Sequence, residues 1–194
     1  MHVLFHLVRH AAYPLIGKVL GGRADHTLSA DGRAAADRVG VILQERRPSA
    51  VLTSPVQRAR ETAEVIAQHV ECEVQIEDAF SEIDYANWTG RSFADLHDDA
   101  SWRSWNSFRS TAEIPGGETM LLVQARAVAA LVRYANTHVA GELVVVSHAD
   151  VIKAVLAHFL GAPLDLMHRW EIAPASISQL VLYDNDAQIL AVNA

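Results

Sequence analysis

Three short apolar runs, each stopping abruptly at polar or charged residues, constrain this chain more than any other feature. The first, Val3 to Val8, ends in Arg9-His10. The second, Ala50 to Leu52, ends in Thr53-Ser54-Pro55 with Arg58 close behind, and the third, Leu143 to Val146, ends in Ser147-His148. Such runs read as buried β-strands. Stretches with helical periodicity lie between them: about residues 29–46, 56–69, 118–138 and 149–160. Strand and helix alternating over short connections predict a three-layer α/β/α sandwich around a mainly parallel sheet. In an open sheet of this kind, ligands bind beyond the C-terminal ends of the strands. Two histidines and two arginines are therefore delivered to the edge where a site belongs.

The remaining elements fill in around this frame. Ser29 is the expected N-cap of the first helix, whose apolar face would include Ala35, Val39, Ile42 and Leu43, and Pro48 stops it. Arg58 falls in the first turn of the next helix, where free N–H groups and the helix dipole favour an anion. Val74 to Ile76 is a short strand, and Glu77 to Gly90 is acidic and irregular. Short aromatic helices follow near 92–98 and 101–109. Their Trp102, Trp105 and Phe108 are expected to pin a surface segment to the core rather than cover a pocket. A hairpin around Asn185-Asp186 joins Ser178–Tyr183 to Gln188–Val192. With no linker, repeat or low-complexity stretch, residues 1–194 are expected to form a single domain.

Composition narrows the functions. A net charge of −7 without a run of lysine or arginine argues against nucleic-acid binding, which needs a basic face. The strand-end arginines instead suggest a local positive pocket for one small anion. A single cysteine, Cys72, rules out an internal disulfide and argues against a cysteine-based zinc site. The glycines of GKVLGG lack the Lys-Ser/Thr ending of a phosphate loop. No histidine spacing resembles a metal motif, so His2, His6, His26, His69, His97, His138, His158 and His168 are expected to be structural or surface residues, and Arg23 a solvated loop residue. The absence of a signal-peptide pattern and of a membrane-length apolar stretch leads to the expectation of a soluble, cytoplasmic protein.

Arg9, His10, Arg58 and His148 together suit phosphoryl transfer. Paired guanidinium groups match phosphate oxygens. A neutral imidazole among them can attack phosphorus, and a second, protonated histidine can bond the oxygens as charge builds on them. A departing alkoxide also needs a proton. Glu77, Asp78, Glu82 and Asp84 are all candidates, and the residues alone do not choose among them.

The chain resembles the histidine phosphatase superfamily, the phosphoglycerate mutase-like proteins, over most of its length. LVRHA resembles the family's Arg-His-Gly signature, and LTSPVQRARETAEVIA the segment bearing its second arginine. GRADHTLSADG, SEIDYANWTG, PGGET and VVVSHADVIKAVLAHFLG resemble, in order, its following loop, its acid-bearing segment, a helix opening and the second-histidine segment. The resemblance implies the phosphoglycerate mutase-like fold, with His10 as nucleophile, Glu82 as general acid and base, and Arg9, Arg58 and His148 as phosphate clamp. It implies a phosphohistidine phosphomonoesterase acting on a small-molecule phosphate ester, of the acid phosphatase type, with no metal and no cofactor. The short span between Glu82 and His148 resembles the family's small phosphatases more than its mutases. A mutase-type phosphotransferase and a silent phospholigand-binding module are the alternatives. Ala11 and Ala149 depart from the family's glycines, a source of strain if either site needs positive φ. Ile16 stands where many members place asparagine, adding apolar wall. Tyr13, Trp88, Trp102 and Trp105 would suggest an apolar or aromatic leaving group if they face the pocket.

Overall fold

The computed structural model describes residues 2–137 and 141–194; His138 lies outside them. Six strands form one sheet: β1 (His2–Arg9), β2 (Ala50–Thr53), β3 (Val74–Ile76), β4 (Gly141–Ser147), β5 (Ile177–Tyr183) and β6 (Ala187–Ala191). Their spatial order is β3-β2-β4-β1-β5-β6. The first four run parallel, and β5 and β6 close one side as an antiparallel hairpin. The helices are α1 (Ala30–Gln44), α2 (Gln57–Val70), α3 (Phe93–His97), α4 (Ala100–Ser107), α5 (Met120–Thr137) and α6 (Ala149–Leu160). This is the α/β/α architecture with a mainly parallel sheet expected from the strand and helix pattern.

The central strands are apolar at almost every position because both faces are covered. Val3, Phe5 and Leu7 of β1, with Leu143 and Val145 of β4, pack under α5 and α6. Their alternates Val8, Val144 and Val146, with Val51, meet Val39 and Leu43 of α1 and Ala59, Ala63 and Ile66 of α2. Each of these buried Val, Leu, Ile and Phe side chains contributes about 1.5–3 kcal/mol of transfer free energy.

Ser29 caps α1 as expected, its hydroxyl accepting from Gly32 N at 3.0 Å. The buried stripe of α1 is Gly32, Ala36, Val39, Gly40 and Leu43, so the expected face is corrected at two positions. Ala35 is only half-buried, and Ile42 is 60% exposed. Glycines bring α1 close to its neighbours and so rotate the stripe: a Cβ on Gly40 would meet the His69 ring at 2.4 Å. One on Gly32 would lie 2.0 Å from the Ala12 carbonyl oxygen, which also accepts from Ser29 N at 3.0 Å. The start of α1 thereby clamps the loop that follows His10.

Candidate active site

Parallel register aligns the three strand ends. Arg9 pairs with Ser147 across β1 and β4, and Thr53 with Val146 across β2 and β4. Past the last pairs, His10 N donates to Ser147 O at 2.8 Å and Ser54 N to Val146 O at 3.0 Å. The rings of His10 and His148 come to lie 5.1 Å apart.

His10 is buried, and its Nδ1 lies 2.9 Å from the carbonyl oxygen of Ala11. A carbonyl can only accept, so Nδ1 carries the proton and Nε2 the lone pair. That lone pair accepts from Arg58 Nε at 3.1 Å. Burial first, then the charges of Arg58 and Arg9, hold the imidazole well below the usual histidine range, with the Ala11 contact opposing them. His10 is therefore a neutral base with a defined tautomer.

Arg58 is fully buried in the first turn of α2 and organises the site. Its Nη2 donates to Gly22 O at 2.7 Å and to Nδ1 of His148 at 3.2 Å, and lies 3.6 Å from Glu82 Oε2. Nη1 reaches Ala24 O at 3.3 Å. Because His148 Nδ1 accepts, its Nε2 donates to Ser54 Oγ at 2.8 Å. Burial, then Arg58, His10, Arg9 and Arg126, keep His148 well below its ordinary value. In the free site His148 is therefore neutral, burial first and then the nearby arginines and the His10 ring disfavouring its charge. Arg9 donates from Nη1 to Ile172 O at 2.6 Å, and its buried Nε has no hydrogen-bond partner among the described residues.

Of the four candidate acids, only Glu82 reaches this cluster. Glu77 is taken by Arg133 and Tyr134, Asp78 lines a separate cavity, and Asp84 lies 3.8 Å from Arg23. Burial raises the Glu82 carboxyl to about 7, against the opposing pull of Arg58 and with help from Asp150. Its Oε2 lies 3.5 Å from His148 Nδ1. Its main-chain carbonyl accepts from Arg23 Nε at 2.8 Å and from Arg126 at 3.4 Å, and both arginines pair with Glu118. Arg23 is an exposed loop residue, as expected, its side chain 44% exposed, and it is also tied to the acid-bearing loop.

Arg9, His10, Arg58 and Glu82 line one cavity of about 140 Å³; His148 touches Arg58 without lining it. Ile16 and Tyr13 form part of the wall. The tryptophans do not. Trp88, Trp102 and Trp105 pack on one another with ring centroids 5.4–6.0 Å apart, anchoring their segment to the core. Phe108, grouped with them from sequence, is 59% exposed. Neither Ala11 nor Ala149 takes a positive φ, so the feared strain is absent; Ala11 N donates to Thr62 Oγ1 at 3.0 Å. Sequence reasoning missed Asp150, a wall residue whose Oδ2 accepts from Tyr85 Oη at 2.6 Å and from Arg109 at 3.2 Å. Its place two residues after His148, in the first turn of α6, was the available signal. Nothing local marks Arg109. Among the described residues, no group of three or more His, Cys, Asp or Glu is gathered as for a metal ion, and no helix is long and apolar enough to cross a membrane.

A mainly parallel α/β/α sheet with two histidines, two arginines and a carboxyl gathered at its strand ends defines a class of phosphoryl-handling proteins. The chain belongs to the histidine phosphatase superfamily (branch 1), which it matches over residues 5–194. It is 28% identical over 191 residues to phosphoserine phosphatase 1 of Hydrogenobacter thermophilus, covering 96% of this chain and 90% of that protein. It is 27% identical over 161 residues to the probable phosphoglycerate mutase GpmB of Salmonella paratyphi C, covering 82% and 75%. YhfR of Bacillus stearothermophilus shares the fold with a TM-score of 0.91 at 24% identity, over 97% of this chain and 96% of that one. Family membership and the phosphatase names among its relatives support a phosphatase.

Proposed function

We propose that this chain is a metal-independent phosphomonoesterase working through a phosphohistidine at His10. The observation that carries this reading is the buried, neutral His10, its Nε2 lone pair held by a hydrogen bond from Arg58 beside a carboxyl raised to about 7. Arg9, Arg58 and His148 bind the phosphoryl oxygens. An entering phosphate dianion raises the pKa of His148 and favours its protonation, so the positive partner forms with the substrate.

In the first half-reaction His10 Nε2 attacks phosphorus, the P–N bond forms, and the ester P–O bond breaks. Glu82 gives its proton to the departing oxygen, releasing the alcohol. In the second, Glu82 as carboxylate takes a proton from water, whose oxygen attacks phosphorus. The P–N bond breaks, phosphate leaves, and His10 is again neutral. Transfer to a second alcohol in place of water would make the protein a mutase, as the name of the GpmB relative suggests. The short stretch between Glu82 and His148 favours water.

The test is hydrolysis of an aryl phosphate with a chelator present, alongside trapping of acid-labile phosphate on the protein. Turnover that ignores the chelator, with both turnover and label lost in His10→Ala by at least about 10³-fold, is the expected result. Label retained in His10→Ala overturns the assignment. Phosphate or vanadate binding without turnover of any ester identifies a binding module instead.

A further inference from the structure

We propose, resting on the phosphatase reading above, that the site takes phosphomonoesters of uncharged apolar or aromatic alcohols and turns away alcohols that carry a carboxylate. The first ground is the distribution of cations. Among the described residues, Arg9 and Arg58 are the only basic side chains lining the cavity apart from His10, and both belong to the phosphoryl end. Other nearby cations are committed elsewhere. Arg109 stacks 3.4 Å from the centroid of the Trp105 ring and pairs with Asp150. Arg23 is bound to Glu118 and the Glu82 carbonyl. Lys18, between two wall residues, is exposed and does not line the cavity.

The second ground is the wall itself. Tyr13, Ile16, Val19, Leu20 and Phe93, residues with rings or branched chains, belong to the cavity lining, Tyr13 beside the phosphoryl end with its ring 5.9 Å from that of His10. Two segments far apart in sequence are stitched together to build it: Val19 bridges to Ser92, Phe93 N donates to Lys18 O at 3.2 Å, and Leu20 N to Arg91 O at 2.9 Å. Tyr13 is held by a flat stack on His26, centroids 4.7 Å apart. The remaining charged wall residues, Glu82 and Asp150, are acids. A carboxylate on the leaving group would lose water here and meet no free cation, a costly desolvation. An apolar ring would exchange water for the Ile16 and Phe93 side chains, and such pocket contacts are worth about 10–200-fold in kcat/KM per group. The relatives named for phosphoserine and phosphoglycerate chemistry handle carboxylate-bearing alcohols; this pocket differs from that requirement.

Initial rates with benzyl phosphate, glycerol 3-phosphate, 3-phosphoglycerate and phosphoserine test the idea. All four are esters of alkyl alcohols, so recognition rather than leaving-group reactivity separates them. The expected order is benzyl first, glycerol second and the two carboxylates last, with benzyl ahead of them by at least about thirtyfold in kcat/KM. Ile16→Arg should raise the ratio of 3-phosphoglycerate to benzyl phosphate at least about tenfold by supplying the missing cation. Phe93→Ser, at the rim and 39% exposed, should lower the ratio of benzyl to glycerol phosphate at least about fivefold. A wild type that prefers 3-phosphoglycerate or phosphoserine overturns the inference and leaves the phosphatase reading standing. A folded wild type inert toward all four overturns both.

Discussion

Two buried histidines stand four residues apart, His6 within β1 and His10 just past its end, and their surroundings could hardly differ more. Both are pulled below the ordinary histidine range, chiefly by burial. His6 sits mid-strand with Nε2 2.6 Å from Glu142 Oε2 and Nδ1 3.3 Å from Gln179 Nε2. Glu142 in turn takes two bonds from Arg46, each 3.0 Å. Both ring nitrogens of His6 have a partner and His6 lines none of the described cavities, so this cluster reads as one that holds structure together. His10 lies just past the strand end, has no carboxylate on its ring, and turns its lone pair toward an arginine at a cavity wall. Burial and residue type are shared; the partner and the open space decide which histidine can do chemistry.

The arginines sharpen this contrast most. Arg58 meets two carbonyls, two histidine rings and a carboxyl with one planar fork, a set that the compact ammonium of lysine cannot span. Arg58→Lys is expected to cost about 10²–10³-fold in kcat/KM, whereas Arg46→Lys should stay within about twofold. Steady-state rates on one ester decide, and a tolerant Arg58 would erase the distinction between the two clusters.

The acids come next. Glu82 must carry a proton in the first half-reaction, so kcat/KM should fall as pH rises through about 7. Glu82→Gln should lower the rate by about 10²-fold or more and remove that limb, while Glu142→Gln should leave the limb in place. The same carboxyl acts on stability. Raised to about 7 from 4.5, it binds its proton more tightly in the folded chain than in the unfolded one. The resulting stabilisation is fully present below 4.5 and is lost as pH rises through about 7, an amount of roughly 3 kcal/mol. Denaturant melts at pH 5 and pH 8 should show this slope in wild type and its reduction in Glu82→Gln.

The smallest effect on rate belongs to His6. His6→Asn should keep kcat within about twofold and cost about 1–3 kcal/mol of stability, because the buried end of Glu142 loses a partner. A large loss of rate without a loss of stability would show that the His6 cluster and the site at His10 are coupled.

Much of this was legible before any coordinates. A strand buried on both faces must be apolar throughout, so Val3–Val8 and Leu143–Val146 announce themselves, and the polar residues at their ends mark the edge. Parallel pairing then places Arg9, His10, Ser54 and His148 together almost by necessity. Choosing Glu82 among four acids took family resemblance, since Glu77 to Asp84 has no period. The structure separates them by what each touches. Helix α1 shows where periodicity misleads: Ile42 fits the apolar spacing, yet Gly32 and Gly40 bring the helix in on a different face.

By itself, then, the sequence determined the layers, the strand ends and the identities of the groups gathered there, because those depend on local patterns of period two and 3.6. Only the tertiary structure decided the tautomer of His10, the neutrality of His148 and the raised carboxyl of Glu82. It alone tied Asp150 to Tyr85 and Arg109 and sent the tryptophans into the core. Each of those depends on burial and on contacts between segments tens of residues apart, and side-chain pairing at that distance leaves no periodic trace in a chain.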